Sequence, residues 1–386
     1  MYIKIPKENT AWQTKKLGEV CDIYQPKTIS TKEMLIDGEY PVFGANGVIG
    51  KYNKYNHENA ELLITCRGAT CGSVNVSIPK SWINGNAMVI RPIDNKKLSK
   101  DFLRYFFIGI DLSSVITGSA QPQITRQMLA PFEILLPTLH EQHHVVKILD
   151  EVFESVAKAK ENAEKNLKNS KELFEAYLQN VFMRARKDWE ERTLEQVCEM
   201  INRGVSPKYT ESKGLCVLNQ KCIRDHKINF NLSRLHDSIN KKVSIDKYIQ
   251  VGDVLVNSTG TGTLGRVAQV RELNMKAIVD SHVTIVRPMK NLFYNEFFGY
   301  ALICIEKEIA KRGEGCGGQT ELARNTLKND FRISYPKSPT EQKAIVKKLD
   351  ALSVETKKLE EIYQQKLADL EELKKSVLKS AFAGEL

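Results

Sequence analysis

One long, uninterrupted amphipathic stretch occurs twice in the chain, and this limits the possible folds more than any other feature. The first copy covers residues 137–182 and the second 336–382. From Glu141 and Glu341 onward the offset is a constant 200 residues, so that Gln142 maps to Gln342 and Asp150 to Asp350. Thr138-x-x-Glu141 and Ser338-x-x-Glu341 are capping boxes, in which the hydroxyl takes an orphan N–H and the carboxylate reaches back. Pro339 falls at a first helical position, where a missing N–H costs nothing. Neither Pro nor Gly interrupts either run before Gly384. Apolar or small residues recur at alternating three-four spacing, from Val145 through Leu149, Val156, Ala163 and Ser170 to Val181 in the first copy. The second copy runs from Ile345 through Leu349, Leu359, Tyr363 and Leu373 to Ala381. This spacing is the seam of a coiled coil. Each helix would be roughly 65–70 Å long. Each needs a cover for its seam, and the other copy is the nearest one. An antiparallel pair is expected, because a segment of about 150 residues joins the end of one helix to the start of the next.

The repeat extends beyond the helices. Trp12 to Cys21 reads W-Q-T-K-K-L-G-E-V-C, and Trp189 to Cys198 reads W-E-E-R-T-L-E-Q-V-C. The offset there is 177 residues, so about 23 residues have been added inside the second unit. The ends of the two units match and the middles do not. A shared frame therefore carries two different variable regions. Both regions show short strand-like runs broken by glycine turns, at 61–65, 73–78 and 87–91 in the first. Residues 252–256 of the second align with 60–64, and V-R-P at 286–288 with I-R-P at 90–92. Amphipathic helices are expected at 100–110 and 295–310. The fold class is α+β. Two β-rich regions, 1–136 and 188–335, alternate with helical regions, 137–187 and 336–386, around an internal pseudo-twofold repeat.

Composition narrows the function. With 57 Lys and Arg against 47 Asp and Glu, the net charge is +10, which favours a polyanion as partner. No apolar run approaches the ~20 residues of a membrane span. The N-terminal M-Y-I-K-I-P-K-E-N lacks a signal-peptide core, so a cytoplasmic location without membrane is expected. The eight cysteines include no C-x-x-C pair and no zinc spacing, which fits reduced thiols.

Two catalytic motifs match only as patterns. Residues 140–144 read H-E-Q-H-H, the form of a zinc-protease helix. Glu141 is already explained by the cap, and the second copy, T-E-Q-K-A, keeps the cap without the histidines. Residues 260–265 read G-T-G-T-L-G, but R-V-A-Q-V follows and alternates like a strand. A nucleotide site would need a helix there. Neither a P-loop nor a D/N-P-P-Y/F tetrapeptide is present, and His57 and His282 read as structural residues. The expectation is no catalytic residue, no cofactor and no metal in this chain.

The glycine loops place backbone N–H groups, hydroxyls, amides and guanidiniums together. Such groups position phosphates and read base edges. The DNA-binding candidates in the first region are Lys51, Arg67, Thr70, Ser73, Gln121, Gln123 and Arg126. Those in the second are Arg203, Lys208, Thr261, Thr263, Arg266, Arg312, Gln319 and Arg324.

Taken in order, these motifs resemble those of the specificity subunits of type I restriction-modification systems. The resemblance rests on P-T-L-H-E-Q…I-L-D, P-K-S-P-T-E-Q…K-L-D and the duplicated W-x(4)-L-x-x-V-C. The loops G-S-A-Q-P-Q-I-T and G-T-G-T-L-G-R-V and the terminal S-A-F-A-G-E-L add to it. It covers nearly the whole chain. It implies two target-recognition domains, each reading half of a bipartite, asymmetric site in double-stranded DNA, on an antiparallel coiled coil that sets the gap. It also implies docking of two methylation subunits, joined by restriction subunits. S-adenosylmethionine, ATP and Mg²⁺ would belong to those partners, and this chain would make no bonds itself. The segment 313–320 lacks the proline of its counterpart. Three competing expectations are a self-contained DNA methyltransferase or nuclease, a coiled-coil scaffold that does not bind DNA, and a subunit with one silent recognition domain.

Overall fold

The computed structural model describes residues 12–118, 120–183, 188–313 and 320–386. Gln319, Cys316, most of the glycine-rich segment 313–320 and the N-terminal nonapeptide lie outside the described residues. The chain divides into two compact units, residues 1–164 with 364–386, and residues 165–363.

In the first unit a four-stranded antiparallel sheet runs in the order Cys21–Tyr24, Ala87–Pro92, Leu62–Thr65, Val74–Val76. Its two central strands are buried almost throughout, which suits their runs of Leu, Ile and Val. A three-stranded sheet, Gly47–Tyr52, Tyr40–Gly44, Trp82–Ile83, lies beside it in sequence, with the last pairing parallel. The helix Lys100–Gly109 begins at Ser99, whose hydroxyl accepts the Phe102 N–H.

The second unit repeats the plan with additions. Its main sheet runs Cys198–Arg203, Val283–Pro288, Val254–Asn257, Val267–Gln269. The strand at Val267–Gln269 directly follows the glycine turn, as the alternation of R-V-A-Q-V predicts. Its second sheet has four strands, Tyr209–Thr210, Arg234–His236, Leu215–Leu218, Ala277–Val279, and the hairpin Ile223–Arg224 with Lys227–Ile228 is extra. The helix expected at 295–310 is broken into Asn295–Cys304 and Glu306–Lys311, with Ile305 at φ −95°, ψ 6°. Tertiary contacts take over at the break. The Cys304 carbonyl accepts from Gln179 Nε2 at 2.6 Å, and Glu306 Oε1 accepts the Val267 N–H at 3.2 Å.

The long helices are Leu139–Met183 and Pro339–Ala383, 45 residues each. They run antiparallel, and each unit shows it separately. The first unit's core joins Val145 and Leu149, near the start of one helix, to Leu378, Ala381 and Phe382, at the end of the other. Lys160 pairs with Glu371 at 2.8 Å there. The second unit's core joins Leu178 and Phe182 to Val346 and Leu349. Leu149, Val156, Ala163 and Ser170 are buried at steps of seven, the coiled-coil period. The expected seam positions Leu359 and Leu373 instead keep 36% and 45% of their surface exposed. Buried small residues, Ala163, Ser170 and Thr356, serve the helix middles, while Phe182 and Phe382 anchor the ends. No helix among the described residues is long and apolar enough to cross a membrane.

The repeated motif residues fasten helix to sheet. Gln142, fully buried, donates to the carbonyls of Lys97 and Pro137 and accepts the Ser99 N–H at 2.8 Å. Gln342 repeats this with the carbonyls of Leu292 and Pro336 and the Tyr294 N–H at 2.7 Å. Thr138 N–H donates to Glu141 Oε2 at 2.8 Å, completing the expected cap, and the Thr138 hydroxyl first, with this N–H second, holds the carboxyl below its usual range. In the second copy the Glu341 N–H donates to Ser338 Oγ at 3.4 Å, and the Glu341 carboxylate accepts the Trp189 indole N–H at 3.3 Å.

Candidate nucleic-acid interface

In each unit, one bend of the main sheet carries the glycine loop. In the first unit, Leu62–Thr65 turns back into Val74–Val76, with Gly68 and Gly72 at φ +90° and +92°. Gly72 N–H donates to Thr65 O at 2.8 Å, Cys71 N–H to Gly68 O, and Ser73 N–H to Thr70 O. A second segment is laced onto this loop. Gly68 N–H donates to Pro122 O at 3.0 Å, Ile124 N–H to Cys66 O at 3.0 Å, and Arg67 and Gln123 form an isolated bridge.

The second unit repeats the lacing bond for bond. Gly260 N–H donates to Thr320 O at 3.0 Å, Leu322 N–H to Ser258 O at 2.8 Å, and Thr259 bridges Glu321. Gly260, Gly262 and Gly265 all have positive φ. Glycine is required twice over at Gly265, because a Cβ there would lie 2.7 Å from the Ala310 backbone. The outer sheet is clipped to the loop in both units as well. Thr65 Oγ1 donates to Ala45 O, and Asn257 Nδ2 donates to Gln220 O at 3.2 Å.

The candidate side chains divide by what they touch. Arg67, Thr70, Gln121, Gln123 and Arg126 are exposed around the first glycine loop, and Ser73 is half-buried there. Lys51 is exposed on the strand Gly47–Tyr52 of the outer sheet. In the second unit Thr261 is exposed on the loop, Thr263 Oγ1 donates to Thr259 O at 3.1 Å, and Arg266 Nη2 to Gly262 O at 2.9 Å. Arg203 is a brace. It is ion-paired to Glu321 at 2.6 Å and donates to Leu322 O at 2.8 Å, holding the laced segment. Arg324 Nη1 donates to Asn202 Oδ1 at 3.1 Å. Lys208 pairs with Asp237 at 3.3 Å, and Arg312 stands 3.9 Å from Asp330.

Several residues near these surfaces carry no local sequence signal. The Arg234 guanidinium lies 3.4 Å from the centroid of the Tyr209 ring, a cation–π stack on the outer sheet. Gln220 Nε2 donates to Thr259 O at 2.7 Å, and the Thr259 hydroxyl is 2.8 Å from His282 Nδ1. His57 is buried between Tyr24 Oη at 3.0 Å and Asn56 Oδ1 at 2.6 Å. At the end of the central strand remote from the loop, each unit pairs an arginine with a buried carboxylate, Arg91 with Glu61 and Arg287 with Asp253. Burial pushes the Asp253 carboxyl up, against the lowering effect of Arg287. Burial likewise raises Asp280 beside the second loop. Among the described residues no group of three or more His, Cys, Asp or Glu could hold a metal ion.

Fold and surfaces together define a tandem-repeat protein, each unit of which joins a loop-built face to antiparallel segments of the two long helices. Residues 9–168 and 186–368 match the family described as the type I restriction modification DNA specificity domain. The chain therefore belongs to the family of type I restriction-modification specificity subunits. It is 24% identical over 152 residues to the EcoprrI specificity subunit of Escherichia coli, 38% of this chain and 37% of that one. That alignment spans little more than a third of the relative's length. Two solved structures share the fold over 100% of both chains. One comes from work on assembly and conformational transition of the type I R-M system, at TM-score 0.78 and 20% identity. The other is the HsdS subunit of Thermoanaerobacter tengcongensis, at TM-score 0.62 and 20% identity.

Proposed function

We propose that this chain is the sequence-reading subunit of a cytoplasmic complex that modifies or restricts double-stranded DNA. Each β-rich unit reads one half of a bipartite, asymmetric site. The observation that carries this reading is the duplication itself. The two units share their framework bonds, Gln142 with Gln342 and Asp150 with Asp350, but differ in the side chains their loops expose. Two unlike readers on like frames suit two unlike half-sites. The basic balance of +10 suits a phosphate backbone.

In this reading the chain makes no bonds. It docks two methylation subunits, which restriction subunits join, and those partners supply S-adenosylmethionine, ATP and Mg²⁺. The helix pair sets the gap between half-sites, much as dimer geometry sets half-site spacing. Inserting four residues in each long helix adds roughly 6 Å, close to two base pairs at ~3.4 Å each. An unchanged preferred gap would rule the spacing role out.

The decisive experiment is modified-base sequencing of host DNA with the gene intact and deleted. Loss of N6-methyladenine from one bipartite, asymmetric motif is the expected result. An unaltered pattern, in cells expressing the chain and its methylation partner, would leave the scaffold reading. Methyl transfer by the purified chain alone would show a self-contained enzyme.

A further inference from the structure

The lacing of the two glycine loops aligns the units residue by residue. Gly68 and Gly260 bond Pro122 and Thr320, while Ile124 and Leu322 bond Cys66 and Ser258. Arg67 faces Gln123 where Thr259 faces Glu321. By this register Arg67 corresponds to Thr259, Pro122 to Thr320 and Gln123 to Glu321, and each pair differs in chemistry. Two residues beyond Ile124 and Leu322 the difference ends. Arg126 opens the short helix Arg126–Leu129, and Arg324 opens Arg324–Asn329.

Both arginines are exposed. Among the described residues neither guanidinium meets a carboxylate. Arg324 gives one N–H to the neutral amide of Asn202, leaving four of its five donors available. Three other arginines of the two units are engaged by acids, Arg91 with Glu61, Arg203 with Glu321 and Arg287 with Asp253, while on the second loop Arg266 gives an N–H to the Gly262 carbonyl. A residue identical in two readers of different sequences cannot carry the difference between those sequences. Phosphate contacts fix register and orientation without sequence information, and a guanidinium fork fits a phosphate bidentately.

We propose that Arg126 and Arg324 are equivalent positioning residues, each gripping a backbone phosphate beside its half-site. The discriminating contacts then fall on the unlike positions around them. This inference rests on the DNA-reading function proposed above.

The test uses the full-length chain assembled with its methylation partners, a duplex carrying the motif, and a salt series from ~50 to ~200 mM. The variants are Arg126→Ala, Arg324→Ala, the double variant, Arg126→Lys and Arg324→Lys. Each alanine variant should bind about tenfold more weakly, and its slope of log affinity against log salt should fall by about 1. The double variant should lose about 2. Each lysine variant, keeping the charge, should restore the slope. The methylated motif, read by sequencing, should keep every base. An unchanged slope, or a motif relaxed at one position, would overturn the inference while leaving the parent reading intact. A wild-type complex with no bipartite motif would overturn both.

Discussion

The Tyr105 hydroxyl donates to Oδ1 of Asp150 at 2.5 Å, and in the second unit Tyr300 donates to Asp350 at 2.6 Å. These bonds explain why I-L-D and K-L-D recur at one offset. Each aspartate ties a long helix to the short helix of its own unit. Both phenols are pushed up to about 12, by burial first and by the aspartate second, so they remain donors through the neutral range. Tyr105→Phe should cost about 1 kcal/mol, since Asp150 stays half-exposed and water replaces the lost donor. Urea unfolding of the variant checks this, and a loss above about 3 kcal/mol would assign the tyrosine a larger part.

Gln142 should be the costlier residue to lose. Its amide is fully buried and satisfies two carbonyls and one N–H. Gln142→Ala strands those groups and should cost about 3 kcal/mol, as should Gln342→Ala. Denaturant midpoints at constant slope would measure both.

Phe382 tests the antiparallel pairing. It packs edge-on against Phe102 and Phe106, with ring centroids at 5.3 and 5.6 Å, although more than 270 positions separate the two segments. Phe382→Ala should remove about 3–5 kcal/mol. Hydrogen exchange should quicken in Leu62–Thr65 and Ala87–Pro92 of the first unit. Equal quickening in Val254–Asn257 of the second would contradict the separate cores.

Two glycines of one loop should behave differently. Gly262 has positive φ but no atom within 4 Å of a built Cβ, so Gly262→Ala should cost about 1 kcal/mol from backbone strain alone. Gly265 adds the collision with Ala310, and Gly265→Ala should cost clearly more. Equal losses in thermal unfolding would show that the helix at Glu306–Lys311 yields freely.

His57 predicts an acid-side weakness. Burial, the largest influence, lowers its pKa from 6.5, and Glu61 opposes it. The folded value lies below the unfolded one, so the contribution is complete above pH 6.5 and is lost as pH falls through the folded value. The wild-type midpoint should therefore drop between neutrality and the acid side, and His57→Asn should flatten that drop. A parallel fall in the variant would place the sensitivity elsewhere.

The sequence by itself determined the repeat, the two long helices, their caps and the β-rich character of the regions between them. These are local properties: a three-four spacing, a capping box or a glycine turn is written within a few residues. The sequence also supplied the family, because the order of motifs survives where their loops vary. Tertiary structure decided what the motif residues do. Gln142 and Asp150 look like ordinary helix-surface residues until Ser99 and Tyr105 are brought beside them. It also decided which candidate cations serve the fold, since Arg203 and Glu321 lie over a hundred positions apart and meet only through the lacing of the second loop. The seam erred at Leu359 and Leu373 for the same reason. Periodicity marks which face of a helix is apolar, but how deeply each position is buried depends on what the rest of the chain packs against it.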